Sequence, residues 1–238
     1  MLITDKIRNK TILDFPVPVA PEQVKHFREY FALAVLRYVN PEQYNDYDKS
    51  DRPDLQSKDK KRGVEVTTAT ATNDASIDGD YATYRLTDDD TRKALLGKRI
   101  IKHGGSIDSY GVTYTVKSSA DEYRIIRDAI VHKNTKINDY KAKGFEYLEL
   151  FVCFEEPLCP RTEEQMRNLF EETRTAQTYD LVYLCAPCTL ITYQYSNKSC
   201  QIIPIAREDY ECFGVIARMT LDGDLSLNSL VWTMSEEK

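Results

Sequence analysis

The 238-residue chain has no uninterrupted apolar run near the roughly 20 residues that cross a bilayer, and its opening, MLITDKIRNK, has no apolar signal-peptide core. The expectation is a soluble, unexported, cytoplasmic protein without a membrane partner. Glycine and proline are scarce, at nine each, which excludes a collagen-like or low-complexity chain. There is no glycine-rich phosphate loop, no GxSxG elbow and no HExxH pair, so nucleoside-triphosphatase, α/β-hydrolase and zincin chemistry lack their signatures. Histidine is limited to His26, His103 and His132, dispersed along the chain. Positive charge is not in excess: 32 Lys+Arg against 38 Asp+Glu give −6. That argues against a protein that coats nucleic acid non-specifically, but leaves room for a local basic groove.

Six cysteines (Cys153, Cys159, Cys185, Cys188, Cys200 and Cys212) fall late in the chain, within apolar stretches and without framework spacing. This pattern points to reduced thiols in a cytosol. Cys185-Ala186-Pro187-Cys188 is a lone CxxC; structural zinc needs four ligands, and no second pair or nearby histidine supplies them.

Apolar spacing predicts a helix over residues 21–39, with Pro21 in its first turn, Phe27, Phe31, Ala34, Val35 and Tyr38 as its stripe, and Asn40-Pro41 as its stop. Extended segments at 43–47 and 52–56 lead to a charged turn, Lys58-Asp59-Lys60-Lys61-Arg62-Gly63, and a β-branched run over 64–70; together these read as a hairpin. Residues 73–98 lack an apolar period and read as a loop with a short helix near 88–96, followed by a hairpin over 98–117. A long helix is expected over 120–143, ended by Gly144, then a strand over 145–154 apolar enough to be buried on both faces. A helix over 162–176 capped by Thr162, and strands from Leu181, over 189–195 and over 201–205, complete the pattern. The organisation expected is α/β, with a core over 1–187, an insertion at about 73–119, and a β-rich extension over 188–238 packed on the same domain.

Chemistry concentrates around Asp54 and Glu65. In an extended strand Glu65 and Thr67 share one face while Val64, Val66 and Thr68 share the other. If the basic turn closes a hairpin, Asp54 and Glu65 come side by side. Two neighbouring carboxylates repel unless a cation lies between them, and a hard divalent ion, Mg²⁺ or Mn²⁺, is the natural third party. In the long helix Tyr123, Ile126, Ile130, Ile137 and Tyr140 define a stripe that contains Lys133. A lysine there either snorkels to water or ends beside the acidic pair, where its charge meets a developing anion. Lys136 lies next to the stripe and is the alternative cation. The turn of Lys58, Lys60, Lys61 and Arg62 offers charge for a nucleic-acid backbone, or is simply a solvated hairpin tip.

These residues give the chain a resemblance to the PD-(D/E)XK nuclease superfamily: Pro53-Asp54 on one strand, Glu65-Val66-Thr67 on the next, then a helix and a buried strand. The likeness covers roughly residues 21–154 and implies a restriction-endonuclease-like αβββαβ core with a mixed central sheet. Thr67 stands where the family usually has lysine, and some branches with E-V-T recruit a lysine from the following helix. What the resemblance implies is hydrolysis of phosphodiester bonds, with DNA as the expected partner. Asp54, Glu65 and the Val66 carbonyl would hold Mg²⁺ or Mn²⁺, Lys133 or Lys136 would act on the attacking water, and Thr67 would be a minor contact. The family at times adds a glutamate from the first helix. Glu22 and Glu29 lie on the side of that helix opposite Phe27, Phe31 and Tyr38, and are not counted among the ligands. The competing expectation is a non-catalytic α/β module that binds nucleic acid or protein. Self-association or a partner protein is compatible with either.

Overall fold

A computed structural model describes residues 7, 10–11, 14–15, 19–108, 111–113, 118–159 and 161–230. Its elements in chain order are α1 (Val24–Val39, entered through a 3-10 turn at Pro21–Gln23), α2 (Pro41–Tyr44), β1 (Tyr47–Lys49), β2 (Leu55–Ser57), β3 (Arg62–Thr68), α3 (Thr72–Leu86) and α4 (Asp90–Lys102). There follow β4 (Ser106–Asp108), β5 (Gly111–Thr113), α5 (Ser119–Asn134), α6 (Ile137–Ala142), β6 (Tyr147–Cys153), α7 (Glu163–Glu172), β7 (Leu181–Ala186), β8 (Thr189–Gln194), β9 (Ser199–Pro204) and α8 (Arg207–Leu221).

Seven strands form one mixed sheet in the order β1-β2-β3-β6-β7-β8-β9. The hairpin β2–β3 is antiparallel, β3, β6 and β7 run parallel, and β8 and β9 return antiparallel. Helices cover both faces, so the chain is α/β as its sequence pattern implies. Val64, Val66, Phe151 and Tyr183 pack beneath α1 and α8. Leu148, Leu150, Val152, Val182 and Leu184 pack beneath α5 and α7. The continuous apolar run of β6 follows from this double cover. No helix among the described residues is long and apolar enough to cross a membrane, and all six cysteines are free thiols.

Five expectations need correction. The short helix expected near 88–96 is present and longer, as α4, but the rest of 73–98 is not a loop: α3 occupies it and forms a helical hairpin with α4. Asp89 caps α4 by accepting from the Thr91 and Arg92 amides at 2.9 and 3.2 Å. The pair coheres partly through Arg99 on the buried Asp80 at 3.0 Å, an ion pair that leaves no mark on apolar periodicity. The hairpin expected over 98–117 shrinks to β4 and β5, because 98–102 belong to α4; residues 114–117 lie outside the described ones.

The segment around 43–47 begins as the short helix α2, whose first turn is capped by Asn40 accepting from the Gln43 amide at 3.2 Å. The buried Arg37 donates to the carbonyls of Tyr44 and Tyr47 at 3.1 and 2.8 Å and so fixes this segment against α1. The long helix breaks in two: Thr135 bonds the His132 carbonyl through its hydroxyl at 2.8 Å, and the Lys136 amide turns to Lys133 at 2.9 Å.

Finally, the β-rich extension expected over 188–238 also contains a helix. Its strands β8 and β9 complete the central sheet, and α8, absent from the sequence expectation, packs beside α1. Phe31 meets Tyr210 and Phe213 edge-on at 5.6 and 6.3 Å, and Tyr38 meets Phe213 at 5.1 Å. Residues 231–238 lie outside the described ones.

Candidate active site

Leu55 pairs with Val64 and Gln56 with Gly63, and this register, carried one residue further, sets Asp54 opposite Glu65. The two carboxylates are nearly excluded from solvent, their residues 4 and 6% exposed. Asp54 Oδ2 accepts from the Val66 amide at 2.9 Å. A residue's N–H and C=O leave an extended strand on the same side, so the Val66 carbonyl faces that edge too.

The close approach depends on Gly63. A Cβ at that position would stand 2.2 Å from Pro53 Cγ, so only glycine lets Pro53 lie over β3 and deliver Asp54.

Lys133 arrives from the end of α5, 68 residues later, and its Nζ lies 2.6 Å from Glu65 Oε1. The lysine of the stripe thus does not snorkel away. Its helix turn is held by buried groups: Tyr179 donates to the Lys133 carbonyl at 3.2 Å, and Asn134 Nδ2 to the Thr173 carbonyl at 3.0 Å. The other Glu65 oxygen accepts from Tyr140 at 2.6 Å. Burial, then the bond to Glu65, hold the Tyr140 phenol well above its ordinary pKa, so it remains a donor. Lys136, past the helix break, is exposed on the wall of the adjoining cleft with Arg52 and Lys143. Thr67 lines the cleft of about 410 Å³ that also contains Asp54 and Lys133.

Two residues join that the sequence reading does not count. The side of α1 opposite the Phe27, Phe31 and Tyr38 stripe faces the sheet rather than water, so Glu29 is 1% exposed while Glu22 is exposed. Lys25 Nζ lies between Glu29 Oε1, at 3.4 Å, and Asp54 Oδ1, at 3.0 Å. Partial burial opposes its charge, but the bonds to Asp54 and Glu29 outweigh this and raise its pKa. Glu29 Oε2 meets His26 Nδ1 at 3.0 Å and Lys49 Nζ at 3.3 Å. For Lys25 the sequence offers only its i, i+4 spacing to Glu29, which is common on any helix; for Glu29 the resemblance adds the first-helix glutamate.

Hard oxygen donors suit Mg²⁺ or Mn²⁺. Among the described residues no three acidic, histidine or cysteine side chains are already gathered around one point as a metal site. A cation is nonetheless seated on each acid, Lys25 on Asp54 and Lys133 on Glu65. The Lys25 side chain is 62% exposed, so it is free to swing aside, and the Glu29 oxygen facing it is buried and held by nothing closer than that ion pair at 3.4 Å. A hard divalent ion at this place would have to displace Lys25 from Asp54 and compete with Lys133 and Tyr140 for the Glu65 oxygens.

The basic turn lies at the opposite end of β3. Lys61 is paired with Glu146 at 2.8 Å, and Arg62 with Glu149 at 3.2 Å, its guanidinium 4.8 Å from the Tyr147 ring. Lys58 and Lys60 are exposed. The cations bordering the carboxylates are instead Lys25, Arg28, Arg52, Lys136 and Lys143. No protein family, curated protein or solved structure matches the chain.

Proposed function

We propose that the chain is a divalent-metal-dependent phosphodiesterase of the PD-(D/E)XK kind that cuts DNA in the cytoplasm. The observation that carries this reading is the contact of Lys133 with Glu65, beside an Asp54 placed opposite on the neighbouring strand. An acid pair on a hairpin with a helix-borne amine is the arrangement the E-V-T pattern implies.

Asp54, Glu65 and the Val66 carbonyl would hold Mg²⁺ or Mn²⁺, with Glu29 as a neighbouring acid. When bound, such an ion lowers the pKa of a coordinated water and offsets charge on the phosphoryl oxygens. The Lys133 amine orients that water and meets the negative charge that develops on it. The Thr67 hydroxyl adds a polar contact in the same cleft. Tyr140 fixes the Glu65 carboxylate, and Tyr179 fixes the backbone from which Lys133 extends. Lys25, Arg28, Arg52, Lys136 and Lys143 supply positive charge for the DNA backbone.

The test is cleavage of plasmid and oligonucleotide DNA in Mg²⁺ or Mn²⁺ by the wild type and by Asp54→Ala and Glu65→Ala, with circular dichroism to confirm folding. Both variants should be inactive; wild-type activity in either overturns the assignment. The pairing of each carboxylate with a lysine favours a second reading, a non-catalytic interaction module whose acids are already neutralised. Calorimetric titration with Mn²⁺ separates the two, because a module would give no heat that depends on Asp54 and Glu65.

A further inference from the structure

Between α1 and α8 lies a cavity of about 460 Å³ that the chemistry above does not use. It sits where β6 and β7 end, walled by Phe27, Phe31, Phe154 and Tyr210. Its size is in the range of pockets that take small organic groups, and the carboxyl ends of parallel strands are where open α/β sheets receive ligands. Two ion pairs border it: Arg28 to Glu155 at 2.7 Å and Arg207 to Glu211 at 2.8 Å. Arg28 also lines the cleft over Asp54 and Lys133, so the two spaces share one wall residue.

Gly214 on α8 faces the same cavity, and a Cβ there would meet no heavy atom within 4 Å. Glycine inside a helix costs about 1 kcal/mol relative to alanine, and no close packing at this position accounts for it. The position keeps space open.

Resting on the nuclease reading, we infer that this cavity receives an unstacked base of the DNA strand, next to the phosphate that is cut. Aromatic walls stack on any base and so give affinity without sequence preference. The guanidinium and carboxylate groups at the rim present donors and acceptors to base edges. Drawing a base out of a duplex costs a few kcal/mol, least where it is mismatched or already unpaired. The substrate class is therefore single-stranded, frayed or mismatched DNA rather than intact duplex.

Two variants test this. Gly214→Leu fills the cavity from a position with open space, and Phe27→Ala removes a half-buried wall. The probes are fluorescent single-stranded and duplex oligonucleotides with one abasic residue at successive positions, bound in Ca²⁺ and cut in Mg²⁺ or Mn²⁺. The wild type should favour the single strand, and an abasic residue beside the cut should weaken binding roughly ten-fold, the scale of one base stacked on an aromatic ring. Both variants should show that loss on intact substrate and no further loss on the abasic one.

Cutting with equal sensitivity to abasic sites in wild type and variants, or a preference for intact duplex, overturns the base pocket and leaves the nuclease reading standing. Failure of the wild type to bind or cut any oligonucleotide overturns both.

Discussion

The amine of Lys133 and the carboxylate of Glu65 meet at 2.6 Å although 68 residues separate them. This contact joins the hairpin that carries the acids to the helix that follows the insertion. If Lys133 acts on the attacking water, Lys133→Ala should lower the cleavage rate about 100- to 1,000-fold, the usual cost of one charge-stabilising group, with DNA affinity little changed. Lys136→Ala, altering an exposed cation, should mainly weaken binding. Single-turnover kinetics beside equilibrium binding distinguishes the two roles, and a larger rate loss in the Lys136 variant would reverse them.

Lys25 occupies the space between Asp54 and Glu29, where a divalent ion would compete with it. Lys25→Ala should tighten Mn²⁺ binding roughly five-fold, the scale of one ion pair made by a solvent-exposed lysine, and Glu29→Gln should weaken it. Calorimetric titration reads both. Unchanged affinity in the Lys25 variant would show that its ammonium does not stand in the ion's place.

Gly63→Ala should destabilise the protein by about 1–3 kcal/mol, as overpacking does, because the added Cβ meets Pro53 at 2.2 Å. Urea unfolding measures the loss, and cleavage should fall with it, since Pro53 carries Asp54. An alanine variant of wild-type stability would mean that Pro53 yields at no cost.

Glu149, on the sheet face beneath α1, is fully buried, and burial raises its pKa to about 7, an effect that Arg62 and bonds from Tyr44 and Gln43 restrain. A carboxyl whose pKa is higher folded than unfolded stabilises fully below the unfolded value of about 4.3, and that contribution is lost as pH rises through about 7. Glu149→Gln does not titrate. Relative to wild type it should gain on the order of 3 kcal/mol between pH 4 and pH 8. Thermal unfolding of both proteins across that range checks the sign; parallel pH profiles would mean that Glu149 titrates normally.

Most strands and the first, fifth and seventh helices were legible because their burial leaves a period in the sequence, as in Ile126 and Ile130 of α5. The acid pair was legible for a related reason: the turn after Ser57 fixes a register, and register decides which residues face each other. Of the α3–α4 hairpin only part of α4 was legible; α3 and the pairing were not, because an ion pair between Asp80 and Arg99 helps hold them. In α8 the interior Gly214 and the β-branched Val215 and Ile216 mask helical propensity that burial against α1 overrides.

The sequence by itself determined an α/β chain with alternating faces on β3 and two acids on one hairpin, since these follow from local spacing and backbone geometry. Only the tertiary structure decided that Lys133 rather than Lys136 reaches Glu65, that Glu29 is buried instead of solvated, and that the aromatic side of α1 borders a cavity. Those outcomes depend on where a helix breaks and what packs across it, and such contacts between distant segments have no counterpart in neighbouring residues.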